Sequence, residues 1–332
     1  MLTFPSLFLT VISIASLTRQ VAAAGAPNPT RRSRVPRKDK YGGKIWAQVD
    51  KFQGDDFLDG SWEFFDQGDP THGLVNYQNA QNAKSKGLAV VQDGKLILSV
   101  DDKTQLRPGG RRDSVRINTK KTYNGGLFIA DFEAMPYGCS VWPAWWSVGP
   151  NWPEGGEIDI LEGVNLGDTN QYTLHTGAGC SADSSVKATG KSLGTTCASS
   201  GTDNSGCAFK DSDPRSYGEG FNSAGGGVFA HLWDSDGIKI WHFARADIPH
   251  DITDGKPDPS SWTTPAAYFP TSSCDISHHF HDHSLTIDTT LCGDWAGAAF
   301  GATCSGSCQE AVADPTNFAN AKWKINYIAT YQ

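Results

Sequence analysis

Long apolar runs are almost absent from this 332-residue chain. The one that stands out, residues 7–17, is too short for an ordinary transmembrane helix. No Lys or Arg precedes it, so the positive end of a leader is weak, but the small residues Ala22-Ala23-Ala24 follow as a cleavage site. Residues 1–24 therefore read as a signal peptide. With no other segment fit to span a membrane and no hydrophobic tail at the C-terminus, the protein is expected to be secreted and released, with no membrane partner. Paired Cys-x-x-Cys knuckles are missing too, which argues against a zinc module. The only Asn-x-Ser/Thr triplet, Asn28-Pro29-Thr30, is blocked by its proline, so N-glycosylation is not expected. Sustained amphipathic helical periodicity and internal repeats are also lacking.

What remains is rich in turns and aromatics: 36 Gly, 17 Pro and 11 Trp, with 38% hydrophobic and 19% charged residues. Short strand-like runs recur between Gly, Pro and Asn-Gly punctuation, the pattern of an all-β two-sheet sandwich. Residues 25–40 differ from everything after them. Arg31, Arg32, Arg34, Arg37, Lys38 and Lys40 against Asp39 give +5, with prolines interspersed, so this stretch is a disordered tail or propeptide. Removing that +5 and the +1 of Arg19 from the overall −8 leaves −14 for residues 41–332, read as a single catalytic domain. So acidic a body disfavours nucleic acid or an anionic membrane as partner. All eight cysteines lie in it, from Cys139 to Cys308, and behind a signal peptide they read as up to four disulfides among 105 possible pairings.

The most informative stretch is Gly155-Gly156-Glu157-Ile158-Asp159-Ile160-Leu161-Glu162-Gly163. Apolar and acidic residues alternate from Glu157 to Ile160 as on a β-strand, so Glu157 and Asp159 share a face. Glu162 would point away unless one extra residue at Ile160-Leu161 forms a β-bulge and returns it to the same side. Three carboxyls in a row repel, and at least one pKa must rise. Glycosidic bond hydrolysis with retention uses such a pair, one carboxylate as nucleophile and one protonated carboxyl as general acid. The assignment is Glu157 as nucleophile, Glu162 as acid/base and Asp159 between them. A solvated acidic strand and a calcium site are the competing readings.

Glu157-Ile158-Asp159-Ile160-Leu161-Glu162 resembles the bulged signature of glycoside hydrolase family 16. In order along the chain, Asp69-Pro70-Thr71-His72-Gly73, Ser114-Val115-Arg116-Ile117, Trp142-Pro143-Ala144, Tyr172-Thr173-Leu174-His175-Thr176-Gly177 and Cys292-Gly293-Asp294-Trp295-Ala296-Gly297 resemble the family's fungal secreted endo-1,3(4)-β-glucanases. The resemblance implies a β-jelly roll of the concanavalin A-like type with an open concave cleft, acting as a monomer on β-1,3 and mixed β-1,3/1,4-glucan without metal or cofactor. It also implies that Trp146, Trp152, Trp295 and Arg116 contact substrate, with Asn76 and Tyr77 on the same rim and His175 tuning the proton donor at Glu162 or the leaving oxygen. Trp142 and Trp145 are assigned to the core. The histidines His278, His279, His281 and His283 invite a metal reading that the resemblance does not require. A transglycosylase or a non-catalytic glucan-binding protein on the same fold are the alternative functions; loss of one glutamate would mark the latter, and both are present.

Overall fold

Alternation along the short runs is realised as two antiparallel sheets of eight strands each in the computed structural model, which describes residues 46–201 and 203–332. The readings of residues 1–24 and 25–40 lie outside the described residues. The sheet that carries the acidic motif contains β1 (Trp62–Phe64), β2 (Arg116–Thr119), β3 (Val141–Val148), β4 (Glu157–Glu162), β5 (Gln171–His175), β6 (Lys191–Gly194), β7 (Cys207–Lys210) and β8 (Ser284–Leu291). Side by side they run β6-β7-β5-β4-β3-β8-β2-β1, so the acidic strand sits at the centre. The second sheet is built around the long strands Gly126–Ala134, Gly227–Asp234, Gly237–Ala244 and Lys322–Tyr331. A two-stranded parallel pair, Val75–Tyr77 with Arg112–Ser114, stands apart from both.

The core lies between the sheets. Ile117, Trp145, Ile158, Ile160, Leu161, Leu174 and Ile287 from the first pack with Phe128, Phe132, Phe229, Ile238, Trp323 and Ile325 from the second. Each such side chain, fully buried, stabilises the fold by roughly 1.5–3 kcal/mol against leaving it exposed. Residues of β3 and β8 around Trp145 and Ile287, and of β4 from Glu157 to Ile160, alternate between the core and the opposite face, so the acidic side chains stand on that opposite face. The second sheet is apolar on both sides. Leu127, Ile129, Val228, Ala230, Trp241 and Phe243 form another cluster on its outer face, covered by Ile248, Ile252 and Trp262. Burial on both faces explains why Gly126–Ala134 reads as a nearly continuous apolar run rather than an alternating one.

All eight cysteines are paired: Cys139–Cys304, Cys180–Cys274, Cys197–Cys207 and Cys292–Cys308. Residues 177–227 are pinned by two of these bridges, but they are less irregular than the sequence implied. They contribute β6, β7 and the short helix Gly218–Ser223. Among the described residues no helix is long and apolar enough to cross a membrane.

Candidate active site

The bulge is written in the register of β4. Asp159 stands opposite Trp146 on β3 and Thr173 on β5, whereas Glu162 stands opposite Ala144 and Gln171. Three steps on β4 thus match two on each neighbour, the single extra residue that defines a bulge. Ile160 and Leu161, although adjacent, are both fully buried with Ile158 in the core. Parity is restored beyond them, and Glu157, Asp159 and Glu162 share the outer face. Gly156 sets the entry to the strand: its φ is +80°, and a Cβ there would lie 2.4 Å from the His279 carbonyl oxygen and 2.5 Å from the Phe280 ring. Only glycine fits that turn.

Burial dominates the electrostatics of the three acids. It raises the Glu157 carboxyl to about 8, with the Asp159 charge adding; the His175 imidazole, a hydrogen bond from the Trp152 indole and Arg116 oppose it. Asp159 is pushed up to about 8 by desolvation and by Asp288, against a hydrogen bond with Glu157. Glu162 is raised well above the usual carboxyl range, again by burial first and then by the Asp159 charge. The Trp142 indole nitrogen donates to Glu162 Oε1 at 2.8 Å and partly offsets this. A row of this kind holds protons near neutrality, which gives one carboxyl able to donate beside one that can act as an anion.

Neighbouring strands complete the site. His175 lies opposite Glu157 on β5, with Nε2 3.4 Å from Asp159 Oδ2 and Nδ1 2.9 Å from Ser199 Oγ. On the other side Trp146 Nε1 donates to Asp288 Oδ1 at 3.0 Å, and Tyr77 donates its phenol hydrogen to Asp288 Oδ2 at 2.8 Å. The Arg116 guanidinium is held between the Phe65 and Trp146 rings, 4.5 and 4.8 Å from their centroids. Trp295 meets Trp142 edge to face at 5.7 Å, and Trp152 is 45% exposed on the turn before β4.

A family model described as an XgeA-like, catalytic GH16 domain matches residues 62–331. The chain belongs to glycoside hydrolase family 16. Its sequence is 44% identical over 306 residues to a probable endo-1,3(4)-β-glucanase of Aspergillus flavus, covering 87% of this chain but 45% of that protein. The chain thus spans about half the length of that relative. Laminarinase 16A from Phanerochaete chrysosporium, with 6-O-glucosyl-laminaritriose in its donor and acceptor sites, superposes with a TM-score of 0.83 at 40% identity, covering 87% of this chain and all of that one. An elongating family 16 β-1,3-glucosyltransferase superposes with a TM-score of 0.80 at 38% identity, covering 86% of this chain and all of that one.

Within this family 16 domain, three sequence expectations need correction. His175 was expected to reach Glu162 or the leaving oxygen; the β4–β5 register places it opposite Glu157 and its Nε2 lies 3.4 Å from Asp159 Oδ2, while the bulge carries Glu162 further along the strand. Trp142 was assigned to the core but is half-buried on the acidic face and bonds Glu162. Spacing alone separates it from Trp145, since Trp142 and Trp146 lie four apart on a regular strand and share a face, whereas Trp145 points inward and is fully buried. Asn76 was placed on the rim together with Tyr77, yet adjacent strand residues face opposite ways. Tyr77 turns in to Asp288, and the exposed Asn76 donates to Asp113 Oδ1 at 2.8 Å.

Asp288 was missed entirely. The signal was available in Leu285-Thr286-Ile287-Asp288, whose alternation sends Asp288 to the acidic face. His278 and His279 meet edge to face at 4.8 Å, but among the described residues the four clustered histidines bring no three ligating side chains together. His283 is buried, hydrogen-bonded to Ser147 Oγ and the Gly155 carbonyl, and burial lowers its pKa to about 4. Among the described residues, three potential metal-ligating side chains come together at Glu157, Asp159 and His175. Two of these are acids of the bulged strand.

Proposed function

We propose that this domain is a retaining endo-β-glucanase that hydrolyses β-1,3 and mixed β-1,3/1,4-glucans by double displacement. The observation that carries the reading is the bulged strand presenting Glu157, Asp159 and Glu162 on one face, flanked by Trp142, Trp146, Trp152 and Trp295. Aromatic faces stack on the C–H faces of sugar rings and suit a neutral polysaccharide. Glu157 attacks the anomeric carbon as Glu162 gives its proton to the leaving oxygen. Esterification removes the negative charge of Glu157, one of the charges that hold the Glu162 pKa up. Glu162 then becomes the better acid, and its conjugate base is ready to deprotonate the incoming water. Burial keeps Glu162 protonated at rest, and Asp159, hydrogen-bonded to Glu157, adds to this whenever it is ionised. Four disulfides and the likeness to fungal glucanases support an extracellular place of work.

Digestion of laminarin, lichenan and carboxymethylcellulose side by side tests the proposal. Mixed-length oligosaccharides from the first two, with the β-anomer formed first, are expected; release of glucose alone, or cleavage of carboxymethylcellulose only, contradicts it. Transfer to a second glycan is the other reading, favoured by the superposition on the elongating glucosyltransferase. Labelled laminari-oligosaccharide acceptors separate the two, because only transfer lengthens the label.

Asp288→Asn tests how the aromatic wall is held. The carboxylate accepts from both Trp146 and Tyr77, and a carboxamide oxygen cannot replace both acceptor atoms. Loss of one hydrogen bond worth about 0.5–1.5 kcal/mol is expected to raise KM for laminarin about 2- to 10-fold, with kcat nearly unchanged. A fall in kcat at constant KM would place Asp288 in the chemistry instead.

A further inference from the structure

We propose that Ser199, on the segment held by the Cys197–Cys207 bridge, is a positioning residue that fixes the His175 imidazole against Asp159 during turnover. The inference rests on the glucanase reading above. His175 is only 7% exposed, so its ring takes its orientation from protein groups. Ser199 Oγ lies 2.9 Å from Nδ1 and Asp159 Oδ2 lies 3.4 Å from Nε2, on the two nitrogens of one ring. With the Asp159 oxygen facing Nε2, the hydrogen of a neutral imidazole belongs on Nε2 and the serine hydroxyl donates to Nδ1; in an imidazolium the serine oxygen accepts from Nδ1 instead. In either state a hydrogen on Nε2 faces Asp159. The oxygen it faces is buried and has no hydrogen-bond partner among the described residues, so the ring's placement governs how well a charge on Asp159 is tolerated.

Ser199 is held as firmly as a strand residue although it lies outside one. Its backbone N–H donates to the Thr176 carbonyl at 2.9 Å, and the Thr176 N–H donates to the Cys197 carbonyl at 2.9 Å. Residues 197–199 therefore extend β5 by a parallel bridge between Thr176 and Ala198. Cys197 is bonded to Cys207, and Cys207 pairs with Leu174 on β5, next to His175. The ring's far side is closed by Gly206, where φ is +64° and a Cβ would come within 2.9 Å of His175 Cε1. The disulfide thus ties Cys197, two residues before Ser199, to Cys207, the residue after Gly206. The charged groups that act on the ring are Asp159, in contact with Nε2, and Glu157 and Glu162 through their charges, all from β4. His175 favours the ionised forms of both glutamates, so a loosened ring leaves them harder to ionise.

The test is Ser199→Ala beside Ser199→Thr, with laminarin hydrolysis followed across pH. Ser199→Ala is expected to lower kcat about tenfold, leave KM within about twofold, and move the acid limb of kcat/KM to higher pH; Ser199→Thr, which keeps the hydroxyl, restores both. A merely structural serine would lower the melting temperature without moving the limb. Nitrogen NMR of His175 reads the same contact without turnover: the Nε2–H form in the wild type and a mixture of tautomers in Ser199→Ala. Wild-type kinetics and an unchanged tautomer in Ser199→Ala overturn the proposal while the glucanase reading stands. A wild-type protein inert on every glucan overturns that reading, and the NMR comparison still decides the role of Ser199. Cys197→Ala/Cys207→Ala should reproduce the limb shift, with Ser199→Ala adding nothing in that background; a full additional effect would show that the bridge does not act through Ser199.

Discussion

Glu157→Gln is expected to lower kcat on laminarin by roughly 10⁴–10⁶-fold, the scale on which a nucleophile acts, and at the same time to stabilise the fold at neutral pH. The first effect follows from the chemistry: an amide cannot form the glycosyl ester. The second follows from linkage. The folded-state carboxyl titrates at about 8, against 4.5 for an ordinary glutamate. Below about pH 4 both folded and unfolded forms are protonated and the acid costs nothing. As pH rises from about 4.5 to 8 the unfolded chain releases its proton while the folded protein retains it, so stability falls through that window. Glutamine removes this dependence. Discounting for partial exposure and for sharing of protons with Asp159, the gain is about 1–3 kcal/mol at pH 7, or a few degrees in Tm, vanishing near pH 4. Thermal melts of the two proteins at pH 4 and pH 7.5 check it. A variant no more stable at pH 7.5, or active within a hundredfold, would place the charge cost and the nucleophile elsewhere.

Glu162→Gln is expected to separate the two halves of the reaction. Hydrolysis of laminarin should fall about 10²–10⁴-fold, because the leaving sugar oxygen then departs without a proton. An aryl β-laminaribioside with an acidic phenol needs no such help. It should give a burst of phenol followed by slow turnover, since Glu162 is still missing as base for the water. Azide needs no deprotonation and should restore turnover, with a β-glycosyl azide as product, because it attacks the ester from the face the leaving group vacated. An α-azide from this variant would mean that the two glutamates have exchanged roles.

The sequence made the acidic strand legible because its two constraints are local. Ile158, Ile160 and Leu161 must be inside and Glu157 and Glu162 outside, and a single bulge satisfies both. Trp142 and Asp288 were also within reach, since strand parity alone places them on the acidic face. Tyr77 against Asn76 is the same lesson, for neighbouring residues of one strand cannot both turn toward one groove. Ser199 was out of reach. It approaches His175 through a loop whose course depends on which cysteine joins Cys197, and local patterning does not select that pairing. The outer face of the second sheet was hidden for a related reason: its cover, near Ile248, Ile252 and Trp262, comes from irregular segments with no periodicity to read. The match between residues and chemistry was therefore strongest where one strand carries several groups, and weakest where a single group arrives from far along the chain.

The central claim is that Glu157 forms the covalent bond to the sugar while Glu162 moves the proton. Its most direct measurement is trapping with a 2-deoxy-2-fluoro-β-laminaribiosyl fluoride, a donor whose ester forms faster than it hydrolyses, followed by peptide mass spectrometry. One fluorosugar per protein on Glu157 is the expected result. Label on Glu162, or inactivation of laminarin hydrolysis with no covalent adduct at all, contradicts the account.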